Sequence, residues 1–466
     1  MMMRLAVIFE SSPFDRKGLF NAVHNRVKHL LATGECSVDV FCIHSRDNAF
    51  TRSVRHTPDV PFVDETVVDD IRYRLLWYRF SILDNVLLEK LHVRPWLFRR
   101  FMASHVDLLK GYDAVIAHSF CGGLFALAAH ERFGVPYYVT WHGSDVHTHP
   151  WRVPVILEDT RAVMESARCN FFVSRALLEA SERIISSKDV FPISSGDTGG
   201  SQAHNRVVPF VPDDTVSGVS SVRKAVLYNG VSEDFVKYSP ERRAAVRERY
   251  GLAYEDKVVA FVGNLVTVKN VLSLPAIFAQ VAKGYDGPLK FWIVGDGKLR
   301  TQLESAFPLS FRPNDHSLSF RPNEVSGEIS FFGNQPSPVM PDIMNCIDVL
   351  VLPSLNEGLP LVCAEALSCG AAVVGSDVGG IAEVIGKDNV VPLRSPSDND
   401  TSHGTPSDND ASHGTPSGRP YDDSFVNGMA EKVVAALIGQ SPSQTLPTDI
   451  SWARTAAQEL AALKSL

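Results

Sequence analysis

The sequence predicts an α/β protein with two doubly wound domains, each a parallel sheet covered by helices. The chain of 466 residues is too long for one ordinary core, so two domains of about 200 residues each are expected. Short runs of β-branched and aromatic residues recur between segments of helical length. These runs are almost continuously apolar, which is typical of parallel strands buried on both faces.

Each half of the chain contains a set of such predicted strands. Those of the first half are residues 4–10, 38–44, 114–119, 137–143, 170–174 and 225–230. Those of the second half are residues 258–264, 290–296, 329–333, 349–354, 372–377 and 389–393. Two sets in succession indicate two domains that face each other across a cleft.

The predicted domains are 1–231, with insertions, and 232–440. Residues 187–223 are rich in Ser, Gly, Pro and Asp, and LSFRPN occurs at 309–314 and again at 318–323. The unit PSDNDTSHGT at 396–405 returns as PSDNDASHGT at 406–415, inside an insertion spanning 395–418. Polar repeats of this kind lack the apolar residues of a packed core, so they are predicted to be disordered surface loops.

Bulk composition excludes several classes of protein. Hydrophobic content of 45% and charged content of 21% are globular values. The net charge of -8 argues against nucleic acid as a partner, because phosphate binding favours a basic surface. No apolar run approaches the ~20 residues of a membrane-spanning helix, and the N-terminal run, which Glu10 interrupts, is interpreted as a strand. The seven cysteines are scattered without CxxC spacing, which favours reduced thiols and a cytoplasmic protein.

The strongest motif follows the predicted strand 349–354. The loop carries Glu357 and Gly358, and Pro360 is predicted at the first helical position, where proline is favoured. Backbone N–H groups at a helix start can hold a diphosphate, and Gly358 lets the backbone approach a ligand closely. Glu365, inside the helix, can accept hydrogen bonds from hydroxyl groups such as those of a ribose.

Other polar loops follow strands of the same predicted sheet. Gly263-Asn264-Leu265 ends one strand, and Lys269 follows in the next loop. A lysine there supplies positive charge to a diphosphate leaving group without a metal ion. Gly295-Asp296-Gly297 and Phe332-Gly333 end two further strands. Open parallel sheets bind ligands at this edge.

These segments together resemble glycosyltransferase family 4, and residues 378–383 match a further segment of that family. The resemblance implies retaining enzymes of the GT-B fold, with two Rossmann-like domains. It also implies that Lys269 binds the donor diphosphate, that Glu357 with the backbone of Gly358 and Leu359 contacts the transferred sugar and phosphate, and that Glu365 holds the ribose.

One position departs from the family. Asn264 stands where the family commonly has arginine, so Lys269 and the helix start after Pro360 are expected to give most of the electrostatic support. The resemblance further implies that the segment 441–466 forms a helix, around Trp452, that crosses back to the first domain.

The first domain supplies the predicted acceptor side. His118 and His142 each follow a predicted strand. The resemblance implies that His142 faces the reacting sugar and orients it by hydrogen bonding. For His118 a structural role and an acceptor-side role both stay open. Asp145 is expected to orient His142 or contact acceptor. Gly18, the one glycine left of a pair common in the family, is expected to border the acceptor.

The segment 72–101 mixes six arginines with aromatic residues that include Trp77, Tyr78, Trp96, Phe98 and Phe101. The favoured interpretation is an amphipathic helix pair that covers the first sheet. The alternative is a surface for a membrane or an anionic acceptor, because basic and aromatic residues suit an interface.

The sequence therefore predicts a retaining glycosyltransferase that needs no cofactor and no metal, of the kind used in polysaccharide biosynthesis. Its substrates would be a nucleotide-sugar donor and a glycan, lipid or small-molecule acceptor, and its catalytic residues His142, Glu357 and Lys269. The resemblance implies same-face attack, in which the donor phosphate helps to deprotonate the acceptor. Two alternatives stay open: a nucleotide-sugar epimerase, which would consume donor without acceptor, and a weakly active donor-binding partner of another transferase.

Overall fold

The computed structural model describes residues 2–14, 18–46, 60–79, 82–187, 222–307, 328–393, 421–447 and 450–465. The chain divides into two compact units, one formed by Met1–Gly230 with Ser451–Leu466 and the other by Val231–Ile450. Both sequence repeats, the 395–418 insertion and nearly all of 187–223 lie outside the described residues.

The strands of the first unit are β1 (Met3–Glu10), β2 (Cys36–Arg46), β3 (Glu65–Val68), β4 (Ile71–Arg79), β5 (Ala114–His118), β6 (Tyr137–Trp141), β7 (Cys169–Phe172) and β8 (Lys224–Val226). They form one sheet in the order β3-β4-β2-β1-β5-β6-β7-β8. The pairs are parallel except for the antiparallel pair of β3 and β4. Each of the six strands predicted for this half is present.

The strand β4 corrects the prediction that 72–101 forms a helix pair. Ile71, Tyr73 and Leu75 are buried, whereas Arg72 and Arg74 between them are not. This alternation has the period of two that belongs to a strand with one buried face. The strand pairs in parallel with β2 and extends the sheet, so helices occupy only the later part of the segment.

The helices of the first unit before its boundary are α1 (Gly18–Ala32), α2 (Ile82–Leu91), α3 (Trp96–His105), α4 (Ser119–Phe133), α5 (Ser144–His147), α6 (Pro154–Ser166) and α7 (Arg175–Ser186). Helix α1 buries Val23, Val27 and Leu30 as its apolar spacing predicts, while Leu31 is exposed at the edge of that face. Ser174 caps α7, because its hydroxyl accepts from the Leu177 N–H.

The second unit repeats the pattern with the strands β9 (Lys257–Val262), β10 (Leu289–Val294), β11 (Glu328–Gly333), β12 (Val349–Leu352), β13 (Ala372–Ser376) and β14 (Val390–Val391). They form a parallel sheet in the order β11-β10-β9-β12-β13-β14. Its helices are α8 (Pro240–Arg249), α9 (Leu274–Gly284), α10 (Arg300–Ala306), α11 (Met340–Cys346), α12 (Leu361–Ser368), α13 (Ile381–Ile385) and α14 (Asp423–Leu437). All six strands of this half were predicted.

The last helix, α15 (Trp452–Lys464), belongs to the first unit although it follows the second in the chain. Its residues Ala456, Leu460 and Leu463 join the core that contains Val23 and Val27 of α1. Ser451 caps the helix by accepting from the Arg454 N–H.

Both sheets have a point at which the strand order reverses. In the first sheet this point lies between β1 and β5, and in the second between β9 and β12. The crevice outside the carboxyl ends of the strands at such a point is where open α/β sheets bind ligands.

Two further observations concern the whole of the described chain. None of its helices is long and apolar enough to cross a bilayer. All seven cysteines are within the described residues and none forms a disulfide; six of them are buried.

Candidate active site

In the second unit, two loops that leave the reversal point are joined by backbone and side-chain contacts. Lys269 ends a short 3-10 turn after β9, and Glu357 lies in the loop between β12 and α12. The Leu355 N–H donates to the Val268 carbonyl at 2.8 Å. The strand order of the sheet therefore brings together residues that are 88 positions apart in sequence.

The Lys269 ammonium contacts the Glu357 carboxylate at the centre of this site. The Nζ–Oε1 distance is 2.5 Å, and the Ser354 hydroxyl donates to the same Oε1 atom at 2.7 Å. The Glu357 side chain is 9% exposed and that of Lys269 is 23% exposed. Among the described residues Oε2 has no hydrogen-bond donor, so it is available to accept one from a ligand. Ser354 was not predicted from the sequence, although it lies three residues before Glu357 in the same motif.

Two glycines let neighbouring loops close on this site. Gly379 has φ of +52°, and a Cβ atom there would lie 1.8 Å from the Glu357 carbonyl oxygen. The adjacent Gly380 N–H donates to the Gly358 carbonyl at 3.0 Å. Gly295, with φ of +130°, would place a Cβ 2.0 Å from the Gly263 carbonyl oxygen. Only glycine fits such approaches, so Gly295 contributes to loop packing, and a substituent at Gly379 would displace the Glu357 backbone.

Helix α12 begins at Leu361, and Pro360 is its N-cap residue. This corrects the predicted position of Pro360 by one residue. No side chain caps the helix. The Cys363 N–H donates to the Pro360 carbonyl at 3.1 Å, so the N–H groups of Leu361 and Val362 are the ones that keep their capacity to bind an anion. Gly358, Leu359 and Pro360 are buried, whereas Asn264 is exposed and its amide has no partner among the described residues.

Glu365 is the fifth residue of α12 and is partly buried. Its burial raises the pKa of the carboxyl group from the usual 4.5 to about 7. Its carboxylate has no hydrogen-bond donor among the described residues. Hydroxyl groups of a ligand that donated to it would stabilise the charged form and lower this pKa.

In the first unit, the two predicted histidines contact each other at the carboxyl ends of β5 and β6. The Nδ1 atom of His118 and the Nε2 atom of His142 are 3.0 Å apart. Burial, followed by the charge of Arg26, lowers the pKa of His142 to about 3. Burial, with Arg26 and His142, lowers the pKa of His118 well below its usual value. Both rings are therefore neutral near pH 7, one donating its N–H to the other.

The structure shows the surroundings of Asp145 and Gly18, whose contacts could not be decided from the sequence. The Asp145 carboxylate is buried and accepts from the backbone N–H groups of Gly143 at 2.8 Å and His142 at 3.1 Å. It therefore holds the backbone of the His142 loop, and these bonds do not involve the imidazole ring. Gly18 is the exposed first residue of α1, and residues 15–17 before it lie outside the described residues.

A buried arginine near the histidines was not predicted. Arg26, on the inner face of α1, donates to the Thr140 hydroxyl at 2.8 Å, to Asn229 Oδ1 at 3.2 Å and to Glu459 Oε1 of α15 at 3.4 Å. The only indication of this role in the sequence was that one charged residue, Arg26, lies between the apolar positions Val23 and Val27. Its partners are distant in sequence, so the pattern alone did not reveal its role.

No group of three or more His, Cys, Asp or Glu side chains in the described ranges is arranged to hold a metal ion.

Two doubly wound units with polar loops at both reversal points are the architecture of the GT-B glycosyltransferases. Sucrose-phosphate synthase from Thermosynechococcus elongatus aligns with a TM-score of 0.59 at 16% identity, over 100% of this chain and 94% of that one. HepE from Anabaena, in complex with UDP and glucose, aligns with a TM-score of 0.57 at 14% identity, over 99% and 100% of the two chains. At these identities the likeness shows the fold.

The sequence places the chain in a family. Residues 18–190 match "Glycosyl transferase 4-like domain", and residues 256–400 match "Glycosyl transferases group 1". The chain belongs to these group 1, family 4-like glycosyltransferases.

Individual relatives share about a quarter of their residues with this chain over the aligned region. The 2-deoxystreptamine glucosyltransferase of Streptomyces kanamyceticus is 26% identical over 281 residues, 59% of this chain and 62% of that protein. TuaC of Bacillus subtilis (strain 168) is a glycosyltransferase named for teichuronic acid biosynthesis. It is 25% identical over 286 residues, which are 61% of this chain and 58% of TuaC. The chain thus spans about three fifths of the length of these relatives.

Proposed function

We propose that the protein transfers a glycosyl group from a nucleoside-diphosphate sugar to an acceptor hydroxyl, with retention of anomeric configuration and without a metal ion. The observation that carries this proposal is the contact of Lys269 with Glu357 at the reversal point of the second sheet. An ammonium and an oriented carboxylate beside an uncapped helix start suit a diphosphate that carries a sugar.

The chemistry follows from where charge develops. Cleavage of the bond between the anomeric carbon and the phosphate oxygen leaves negative charge on the diphosphate, so stabilisation must be directed there. We assign this role to Lys269, the Asn264 amide and the first N–H groups of α12. Departure from Glu357 would let the Lys269 ammonium contact the diphosphate, while Ser354 keeps the carboxylate in place for a sugar hydroxyl.

The remaining groups would orient the substrates. Glu365 would accept hydrogen bonds from the ribose hydroxyls of the donor. His142, neutral and bonded to His118, would donate to or accept from a hydroxyl of the transferred sugar, and Asp145 would hold its loop. The acceptor proton would pass to the departing phosphate oxygen on the same face, since no residue is assigned as a glycosyl nucleophile.

The names of similar proteins guide the choice of donor. HepE binds UDP and glucose according to its structure, and TuaC is named for teichuronic acid biosynthesis. We therefore propose a UDP-sugar as the first donor to test and a glycan acceptor as the first acceptor. The cytoplasmic location stays a prediction from the cysteine pattern.

The test is a thermal-shift screen of the full chain against UDP-, GDP- and ADP-sugars, followed by product analysis with candidate acceptors. We expect one nucleotide class to stabilise the protein, transfer in the presence of EDTA, and a product with the anomeric configuration of the donor. Donor consumed equally without acceptor would favour the epimerase. Donor bound without turnover would favour the weakly active partner, for which Asn264 in place of arginine is the motivating observation.

A further inference from the structure

Polar side chains at the carboxyl ends of β5 and β6 share one face of the first sheet. Thr140 is the register partner of His118 in this parallel pair of strands, so both side chains point to the same face. His142 follows Thr140 by two residues, and its ring contacts that of His118 with 3.0 Å between Nε2 and Nδ1. The Thr140 hydroxyl therefore lies on the side of the sheet that carries the histidine pair.

Helix α1 covers this face of the sheet. Phe9, the register partner of His118 on β1, packs against the His118 ring and against Phe20 of α1, with ring centroids 6.4 Å and 6.3 Å apart. From the same helix Arg26, whose side chain is 1% exposed, donates to the Thr140 hydroxyl at 2.8 Å. The guanidinium group is thus on the same side of the sheet as both imidazole rings.

The ion pair that Arg26 forms is not explained by its effect on stability. The Arg26 and Glu459 side chains are 1% and 0% exposed, with 3.4 Å between Nη1 and Oε1. Arg26 Nε and Glu459 Oε2 have no hydrogen-bond partner in the part of the chain that the structure describes. Apolar side chains of similar volume in place of such a buried pair are often neutral or stabilising. The role of the pair is therefore expected in the site that it adjoins.

We propose that Arg26 is a positioning residue for transfer. Through its hydrogen bond to Thr140 it fixes the end of β6, so that His142 keeps its contact with His118. Glu459 in turn holds the guanidinium group in place. This role rests on the proposed function, in which His142 bonds a hydroxyl of the transferred sugar.

The charge of Arg26 supports the same arrangement. Burial is the main cause that lowers the pKa of His142 to about 3 and the pKa of His118 well below its usual value, and the charge of Arg26 is the next cause for both. A neutral imidazole keeps one acceptor nitrogen, whereas a protonated ring has none. Arg26 therefore helps to keep an acceptor in one ring for the N–H group of the other.

The kinetic test replaces the ion pair by two apolar side chains, in a variant with Arg26→Met and Glu459→Met that we call the Met-pair variant. We expect kcat to fall about tenfold and the KM for the donor to stay unchanged, because the groups assigned to the donor diphosphate and ribose lie in the second unit. The free energy of unfolding should be at least that of the wild type. An unchanged kcat, or a kcat that falls only together with stability, would overturn the positioning role.

Thr140→Val tests the hydrogen bond by itself and decides the question if the Met-pair variant fails to fold. It removes the hydroxyl acceptor and keeps the shape of the side chain, so we expect the same loss of kcat and no further loss in combination with the Met pair. The matched control is Tyr137→Phe on the opposite face of β6, which removes the 2.8 Å hydrogen bond from the buried Tyr137 hydroxyl to the Val163 carbonyl. The control should keep the wild-type kcat; an equal loss there would refute the role of Arg26.

The contact between the two rings is followed by NMR of the full chain labelled with 15N in histidine, at pH 7 and without donor or acceptor. We expect one ring N–H proton to be protected from exchange in the wild type and to be absent in His118→Phe. It should exchange at least about tenfold faster in Thr140→Val and in the Met-pair variant, and at the wild-type rate in Tyr137→Phe. A wild type without this protected proton, or equal exchange in wild type and test variants, would overturn the positioning role.

The absence of substrates from the NMR samples separates the two proposals. Faster exchange in the test variants, combined with no transfer by the wild type, would contradict the proposed function alone. Unchanged exchange in the test variants of a wild type that transfers sugar would contradict the role of Arg26 alone.

Discussion

At the scale of single residues, one oxygen atom of Glu357 receives two donors, the Lys269 ammonium and the Ser354 hydroxyl. This arrangement keeps the carboxylate in one orientation while its second oxygen stays available. The ammonium is the partner that can leave, because Ser354 remains bonded to Glu357. The site thus holds its positive charge beside the helix start before any diphosphate arrives, which reduces the reorganisation needed on binding.

Replacement of Lys269 by alanine tests this charge. We expect Lys269→Ala to lower kcat/KM by about 100-fold, equivalent to ~2.7 kcal/mol of transition-state stabilisation. Stability should fall by only about 1 kcal/mol, because the ion pair is partly exposed. Steady-state kinetics and urea unfolding would measure the two quantities. Lys290→Ala, which breaks the 2.6 Å ion pair with Glu328 in the same unit, should leave kcat/KM unchanged; an equal loss there would refute the assignment.

For substitution of Glu365 we predict that donor binding weakens while the stability of the folded protein increases. Its folded-state pKa is raised from 4.5 to about 7, so the folded protein holds this proton more tightly than the unfolded chain. The corresponding stability is present below pH 4.5 and is lost as the pH rises to 7. We expect the free energy of unfolding of Glu365→Gln at pH 8 to exceed that of the wild type by about 1–3 kcal/mol. We also expect the variant to bind donor about tenfold more weakly.

Calorimetry at pH 5 and pH 8, with and without nucleotide, would check both parts. The stability difference between Glu365→Gln and the wild type should shrink towards pH 5, where the wild-type carboxyl is protonated. A variant that is less stable than the wild type at pH 8, or that binds donor normally, would contradict the assigned role.

At the scale of elements, the site is an assembly of loops that leave three neighbouring strands, β9, β12 and β13. The loop after β13 reaches the Glu357 loop through Gly379 and the Gly380–Gly358 hydrogen bond. The loop after β9 reaches it through Val268 and Lys269. The position of Glu357 therefore depends on backbone contacts from both sides.

This dependence is tested with two glycines of the second unit that both have positive φ. The values are +52° for Gly379 and +72° for Gly439, but a Cβ at Gly439 would meet no atom within 4 Å. We expect Gly379→Ala to destabilise the second unit by more than ~2 kcal/mol and to abolish donor binding, because Glu357 must move. Gly439→Ala should cost about 1 kcal/mol and retain binding. Equal effects, measured by thermal unfolding and nucleotide titration, would mean that backbone strain alone explains the loss.

At the scale of the whole molecule, the last helix contributes to the core of the unit that begins the chain. Leu460 and Leu463 of α15 pack in the cluster that contains Val23 and Val27 of α1. The buried pair of Arg26 with Glu459 joins the same two helices. The first unit is therefore complete only after the C-terminal helix has been synthesised.

Substitutions in the two C-terminal helices should accordingly affect different units. We expect Leu460→Ala on α15 to cost about 2–4 kcal/mol and to raise hydrogen exchange in β1, β2 and α1, with no change in β9 and β10. Leu437→Ala on α14 is the matched control and should raise exchange only in the second unit. Exchange rising in both units for Leu460→Ala would show that the two units unfold together.

The sequence by itself determined the fold class, the predicted strands and the loops that carry Lys269, Glu357 and Glu365, because these follow from local periodicity and from motifs confined to short segments. It did not reveal that 71–79 is a strand, since arginines and aromatics in that segment concealed the alternation of Ile71, Tyr73 and Leu75.

Only the tertiary structure decided which distant residues meet. The order of strands brings Lys269 to Glu357 and His118 to His142, and the return of α15 gives the buried Arg26 its partner Glu459. Such contacts depend on the path of the whole chain, and a periodic pattern read along one segment carries no information about the segment that will lie against it.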